Sequence, residues 1–181
     1  MDFYNWMQRK YCFTDYQVKV FHYFIISIFS EISKFIIMGI FFYATGRLLY
    51  YLWGVCLLSL LRFYSGGLHC KTYMGCLFSS FAYMLMCVQL LPSFSVSRLL
   101  QLILLSAAII IAYHIAPIPS VYRPTPTEEK TRQCKLQLFT IIFLYSILVF
   151  ICPQNLFMLT GFWVIMIHTM QLIAAYLKKR R

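Results

Sequence analysis

Charged side chains are scarce in this sequence: Asp, Glu, Lys and Arg together make up 12% of the 181 residues. Hydrophobic residues account for 61% and aromatic residues for 19%, a mixture far from that of a soluble domain. The composition excludes an ordinary globular protein and predicts an all-α, polytopic membrane protein. A hydrocarbon core about 30 Å thick needs about 20 helical residues per crossing, so a few crossings account for most of this chain. We therefore treat residues 1–181 as one transmembrane domain.

Uninterrupted apolar runs predict six membrane-spanning helices, separated by short polar segments. The first is the least regular, because Glu31 and Lys34 interrupt it. Its part at 21–34 could lie on the membrane surface instead of crossing. The predicted spans are 21–46, 47–64, 74–91, 98–116, 136–152 and 155–177.

The sequence lacks a secretory signal at its start, which is aromatic and charged. We therefore expect residues 1–20 to be a cytoplasmic segment. Six crossings then place the loops at 65–73 and 117–135 and the C-terminus in the cytoplasm as well. Lys and Arg are retained on that side. When Lys34 and Arg62, which lie within predicted spans, are counted with the inner face, all but Arg47 and Arg98 fall there. The inner set is Arg9, Lys10, Lys19, Lys34, Arg62, Lys71, Arg123, Lys130, Arg132, Lys135, Lys178, Lys179, Arg180 and Arg181.

Several functions are disfavoured by what is missing. The net charge of +11 is scattered over juxtamembrane sites, so it serves topology and attracts anionic lipids without indicating nucleic acid. The cysteine count, seven, is odd, so a complete disulfide framework is excluded. A zinc site built from His69, Cys70 and Cys76 lacks a fourth ligand at a suitable spacing. We expect neither a metal nor a cofactor.

One polar window stands between two apolar segments: "LRFYSGGLHCKTYMGC", residues 61–76. A cysteine acts as a nucleophile only as the thiolate, and it needs a base or a positive field to become one. His69 and Cys76 are the pair to consider, although on a continuous helix they would be about 10 Å apart along the axis. Gly66 and Gly67 would allow the chain to bend.

The helix after this window is expected to begin at Thr72, which is a suitable N-cap and would place Cys76 in the second turn. The helix dipole there favours a thiolate. Arg62 could hold a substrate carboxylate or orient the loop. A plainer interpretation has Cys76 packing as a small hydrophobic residue, His69 solvated and the Gly-Gly pair forming a turn. His22, His114 and His168 lie in or near spans and are expected to be interface or packing residues.

The order Arg62, Gly66-Gly67, His69, Cys76 resembles the signature of the accessory gene regulator protein B (AgrB) family, membrane endopeptidases of Gram-positive quorum sensing. The six apolar segments, the Pro-bearing loop "APIPSVYRPTP" and the basic C-terminus agree over essentially the whole chain. The loop after the fourth span departs from the family pattern, because a run of lysines is replaced by "SVYRPTPTEEK". Lys130, Arg132 and Lys135 are the substitutes that this sequence offers.

The resemblance implies a cysteine endopeptidase in the cell membrane, with its site on the cytoplasmic side. His69 and Cys76 would be catalytic, with Arg62, Gly66, Gly67 and Lys71 supporting the site or binding substrate. The implied substrate is an AgrD-like precursor peptide that loses an acidic tail through an acyl-enzyme thioester and closes to a thiolactone or lactone. A homodimer is implied as well. No third catalytic residue is evident.

Two other functions fit the same layout. A small transporter or peptide-export component would also have six helices and inward-facing charge, but such proteins place ionisable groups in mid-span. Glu31 and Lys34 could instead pair as i, i+3 neighbours on one helix. A non-catalytic membrane scaffold would use Trp53, Trp163 and the tyrosines as interfacial anchors.

Overall fold

The structure is a computed structural model, and it describes residues 14–66, 72–94, 96–118, 127–152 and 155–180. These residues form helices and short connections, which confirms the predicted all-α class. The helices are α1 (Asp15–Ala44), α2 (Leu48–Ser65), α3 (Tyr73–Leu85), α4 (Arg98–Ile115), α5 (Glu128–Ile151) and α6 (Leu156–Arg180). A π-helical turn (Met86–Leu90) and a 3-10 turn (Leu91–Ser93) extend α3.

The chain divides into two units, Met1–Phe41 and Phe42–Arg181. Most of α1 belongs to the first unit. Its N-terminus carries a capping box: the Gln17 N–H donates to Thr14 Oγ1 (3.3 Å) and the Thr14 N–H donates to Gln17 Oε1 (2.9 Å). Lys34, only 3% exposed, forms an ion pair with Glu31, as the i, i+3 spacing predicted. The helix runs without a break through residues 21–34.

Five helical segments are long and apolar enough to cross a membrane, judged on the part of the chain that the structure describes: Leu48–Ser65, Tyr73–Ser93, Arg98–Ile115, Glu128–Ile151 and Leu156–Lys178. They correspond to the second to sixth predicted spans. The crossing by α1, and with it the count of six, stays a prediction. Large apolar side chains such as Phe63, Leu99 and Phe150 are exposed on these helices, as expected of surfaces that face lipid.

In the second unit α6 is the most enclosed helix, with 44% of its apolar stretch buried against 22–28% for the other four. It packs on α2, α4, α5 and the turns that extend α3. Helices α2 and α6 run in the same direction, because Tyr50 contacts Phe157 near their starts and Arg62 bonds Gln171 near the end of α2. We call the end at which α2, α4 and α6 finish the loop end, since Gly66 and Ile118, which follow α2 and α4, lie there.

Helix α5 begins earlier than predicted. The expected span started at 136, but the helix starts at Glu128, where the Thr127 side chain accepts a hydrogen bond from the Lys130 N–H. Glu128 and Glu129 look like loop residues in the sequence, yet acidic side chains are favoured in the first turn of a helix by its dipole. Consequently Lys130, Arg132 and Lys135 lie on a helix and not in the predicted loop.

The two arginines that break the charge bias, Arg47 and Arg98, bind carbonyl groups at the opposite end of the unit. Arg47 Nη1 donates to the carbonyl oxygen of Val88 (3.0 Å), whose usual helical donor would be residue 92, a proline without an N–H. Arg98 donates to the carbonyl oxygens of Phe150 and Cys152 (both 3.2 Å), where α5 ends. Both arginines therefore satisfy backbone groups that hydrocarbon could not.

Helices α5 and α6 approach closely at Gly161, and this contact yields a stability prediction. A Cβ at Gly161 would lie 2.5–2.8 Å from the Tyr145 ring and hydroxyl, whereas a Cβ at Gly54 meets only ordinary contacts of 3.5–3.8 Å. Overpacking a rigid ring costs about 1–3 kcal/mol. We expect Gly161→Ala to lower the thermal unfolding midpoint in detergent. Gly54→Ala, the matched control, should leave it unchanged or raise it slightly through helix propensity. Equal midpoints for the two variants would contradict the close contact.

Candidate functional site

Cys76 lies near the start of α3, as the sequence predicts. Thr72 caps this helix: its side-chain oxygen accepts from the Gly75 N–H (3.2 Å), and its carbonyl oxygen accepts from the Cys76 N–H (3.0 Å). The Cys76 side chain is half-buried. Because side chains on a helix tilt toward its N-terminus, the thiol is directed toward the capped start of α3.

His69, Gly67 and Lys71 lie outside the described residues, so their predicted roles stay predictions. The same holds for Cys70. Among the residues that are described, no group of three His, Cys, Asp or Glu side chains is placed to bind a metal ion.

The start of the predicted catalytic loop is fixed by a backbone contact with the end of α4. The Ile118 N–H donates to the Ser65 carbonyl oxygen (2.9 Å), and Gly66 pairs with Ile118 as an isolated parallel bridge. Gly66 has φ 74° and ψ −155°, a conformation that is essentially restricted to glycine. A Cβ there would also collide with the Ile118 carbonyl oxygen. The segments 67–71 and 119–126 therefore leave from one junction.

Arg62, predicted to support the site, lies in the last turn of α2. Its guanidinium Nη2 donates to Gln171 Oε1 on α6 (3.2 Å). Its Nε is buried and has no hydrogen-bond partner among the described residues. A positive charge at this position also interacts favourably with the C-terminal end of the α2 dipole. The structure therefore places Arg62 between the helix end and α6, within one turn of the junction.

Sequence reasoning missed the next contact, which joins Ser65 to His168 on α6. The Ser65 hydroxyl lies 2.8 Å from His168 Nε2, and the two side chains are 0% and 2% exposed. The residues are 103 positions apart, so no local pattern indicates the pair. The sequence indicates only that His168, an ionisable residue inside a predicted span, needs a polar partner.

A groove between α4 and α5 opens at the same loop end, with a volume of about 660 Å³. Lys135 Nζ lies 5.2 Å from the centre of the Tyr113 ring, a cation–π contact. Basic, acidic, aromatic and apolar side chains share this groove, which suits a ligand with both a charged and an apolar part. The lining residues are Tyr113, Glu128, Thr131, Arg132, Lys135, Leu136 and Phe139.

Comparison with known proteins agrees with the resemblance seen in the sequence. The family model for accessory gene regulator B matches residues 2–173. An AgrB-like protein of Clostridium beijerinckii is 30% identical over 149 residues, which cover 81% of this chain and 72% of that protein. The chain belongs to the AgrB family. No solved structure matches it.

Membership of the AgrB family supports a role in the agr quorum-sensing system. The family is linked to peptide processing, and its members are connected with an AgrD precursor peptide. The apolar helices agree with a membrane protein of this family. Among the described residues, Arg62, Ser65, Gly66 and the groove residues lie at the end of the second unit at which α3, the helix that carries Cys76, begins.

The junction at Gly66 yields a prediction for this AgrB family member. Gly66→Ala combines an unfavourable backbone conformation, worth about 1–3 kcal/mol, with a collision against Ile118. Gly46→Ala is the matched control, because Gly46 also has a positive φ of 68° but open space around its Cα. We expect hydrogen exchange at the Ile118 amide to accelerate in Gly66→Ala and to stay unchanged in Gly46→Ala. Unchanged exchange in both variants would contradict the junction.

Proposed function

We propose that this chain is a membrane-embedded cysteine endopeptidase that removes the acidic C-terminal tail of an AgrD-like precursor peptide. The observation that carries the proposal is the position of Cys76, half-buried at the capped start of α3, directly after the segment that contains His69. Family membership over residues 2–173 supports the same reaction.

In the proposed mechanism His69 accepts the thiol proton of Cys76, and the sulfur attacks the scissile carbonyl carbon. The carbon–nitrogen bond then breaks. The amine of the tail leaves with the proton returned by His69, and an acyl thioester remains on Cys76. A thiol or hydroxyl of the bound peptide then attacks this thioester and gives its proton to His69. A thiolactone or lactone closes as the bond to the Cys76 sulfur breaks, and His69 returns the proton to that sulfur. Exclusion of water favours this closure over hydrolysis.

The charge that develops on the carbonyl oxygen needs hydrogen-bond donors. The amides of Gly75 and Cys76 are already bonded to Thr72, so the Cys76 amide is committed to the helix. In the first turn, the amide of Met74 is the described group that we propose as a donor. Other donors would have to come from the segment 67–71.

The charge distribution supports a precursor with an acidic tail. Arg62, Arg132 and Lys135 lie at the loop end, and positive groups at a membrane boundary raise the local concentration of an anionic peptide. The groove between α4 and α5 offers Tyr113 and Phe139 beside these charges. An amphipathic precursor would meet both kinds of surface at the end of the second unit at which α3 begins.

The peptidase proposal is tested with purified protein in lipid nanodiscs and a candidate precursor peptide. Mass spectrometry should detect the released tail and an acyl adduct on Cys76. Cys76→Ala and His69→Ala should abolish cleavage, and Cys76→Ser should slow it by several orders of magnitude. Cys134→Ala is the matched control and should cleave normally, because Cys134 is a half-buried thiol of α5. Normal cleavage by Cys76→Ala would refute the proposal and favour an export component or a scaffold.

A cytoplasmic site is the second part of the proposal, supported by the basic residues at the loop end and the carbonyl-binding roles of Arg47 and Arg98 at the other. Green fluorescent protein fused to the C-terminus should fluoresce. Alkaline phosphatase fused after Ser93 should be active outside the cell. An N-terminal tag should resist external protease if α1 makes a sixth crossing. If alkaline phosphatase fused to the C-terminus were active, the C-terminus would lie outside the cell and the proposed orientation would be wrong.

A further inference from the structure

Ser65 and His168 form an enclosed polar contact between α2 and α6 of the second unit. It lies at the last residue of α2, and both side chains are almost completely removed from the surface. Polar groups inside a membrane protein are costly unless they are paired. A leucine at position 168 would fill similar space without that cost, so packing alone does not account for the histidine.

The direction of this hydrogen bond follows from the atoms around the Ser65 hydroxyl. That oxygen also lies 2.8 Å from the Leu61 carbonyl oxygen and 3.0 Å from the Gly66 carbonyl oxygen. Carbonyl oxygens only accept, and a hydroxyl has one hydrogen to donate. The arrangement that satisfies most atoms has Ser65 donating to a carbonyl and His168 Nε2 donating to Ser65. His168 Nδ1 is then unprotonated, and it has no partner among the described residues.

Ser65 connects α6 to the backbone junction, because its side chain bonds His168 and its carbonyl oxygen belongs to the junction. Its carbonyl oxygen holds Ile118 (2.9 Å), and the next residue is Gly66, whose conformation begins the segment 67–71. One turn earlier, Arg62 bonds Gln171, one turn beyond His168. Two side-chain bonds therefore anchor the end of α2 to α6 at the point where the chain leaves the helix.

We propose that His168 is a positioning residue, which acts through Ser65 to set where the segment containing His69 begins. This inference rests on the proposed function in one respect, namely that the segment carries the base for Cys76. Reacting groups tolerate little displacement, since a shift of about 1 Å can cost about 10²-fold in rate. The Ser65–His168 bond limits such displacement at one end of the segment, and the Thr72 cap limits it at the other.

The test compares side chains that place a donor differently. In Gln the amide nitrogen is separated from Cβ by the same number of bonds as Nε2 in His, so Gln can donate to Ser65 from the same place. In Asn the amide nitrogen is one bond closer to Cβ and corresponds to His Nδ1, so Asn cannot. His168→Asn should lower kcat for precursor cleavage about 10- to 100-fold with KM within about twofold, in line with a small displacement of reacting groups. His168→Gln should stay within about threefold of the unaltered protein, because it keeps the donor.

Serine variants give an independent arm with a matched control. Ser65→Ala should reproduce the loss in kcat, and the double variant Ser65→Ala/His168→Asn should be no worse than either, because both remove one bond. Ser106→Ala is the control, since Ser106 donates to the carbonyl four residues earlier (2.9 Å) on the exposed face of α4. His114→Asn, an exposed histidine on the same helix, serves likewise. Both controls should cleave normally.

A second readout does not depend on cleavage. Iodoacetamide labelling of Cys76 in nanodiscs, followed by mass spectrometry with Cys134 as the internal reference, reports the surroundings of the thiol directly. His168→Asn should change the labelling rate of Cys76 at least threefold relative to Cys134, and His168→Gln should not. If Cys76→Ala still cleaves, the peptidase proposal fails, and this labelling alone decides the positioning role. Three results would each overturn the positioning role of His168. The first is a kcat and a Cys76 labelling rate that do not change in His168→Asn. The others are equal losses in His168→Gln and His168→Asn, and additive losses in the double variant.

Discussion

The backbone hydrogen bond from Ile118 to the Ser65 carbonyl oxygen joins the ends of α2 and α4. Helix ends carry carbonyl groups without intrahelical donors, and a hydrocarbon environment does not supply any. At this end the chain satisfies one of them with a second helix end, which requires glycine at position 66. Gly66 and Ile118, after which the two connecting segments begin, consequently lie side by side. In the sequence Cys76 follows one segment and α5 follows the other. The site and its charged surroundings depend on this junction.

At the opposite end of the second unit, arginine side chains bind backbone carbonyl groups that lack a helical donor. Arg47 binds the Val88 carbonyl oxygen that Pro92 leaves without a donor, and Arg98 binds the carbonyl oxygens at the end of α5. These guanidinium groups are therefore occupied by the protein's own backbone. The basic residues of α5, by contrast, line an open groove. On the proposed function, the basic side chains that remain available for binding would therefore direct an anionic peptide to the loop end.

The sequence predicts correctly those features that depend on contacts between residues close together in the chain. The Thr72 cap, the placement of Cys76 and the Glu31–Lys34 pair involve residues three or four apart, and all three are confirmed. The predicted start of α5 at residue 136 is wrong, because Glu128 and Glu129 resemble loop residues in the sequence although the helix dipole favours them in a first turn. The Ser65–His168 and Ser65–Ile118 contacts join distant parts of the chain. Their partners depend on how the helices pack, which the periodicity of one helix does not specify.

Thr72 also constrains how the proposed chemistry can proceed. By accepting from the amides of both Gly75 and Cys76, it stabilises the helix that carries the nucleophile but removes the nucleophile's own amide from the candidate oxyanion donors. On the proposed mechanism, the segment 67–71 would then supply the base and share with Met74 the stabilisation of the oxyanion. An error in its position would affect proton transfer and charge stabilisation together. Such a double dependence gives a physical reason for keeping the buried Ser65–His168 bond two residues before this segment, despite the cost of polar groups within a membrane.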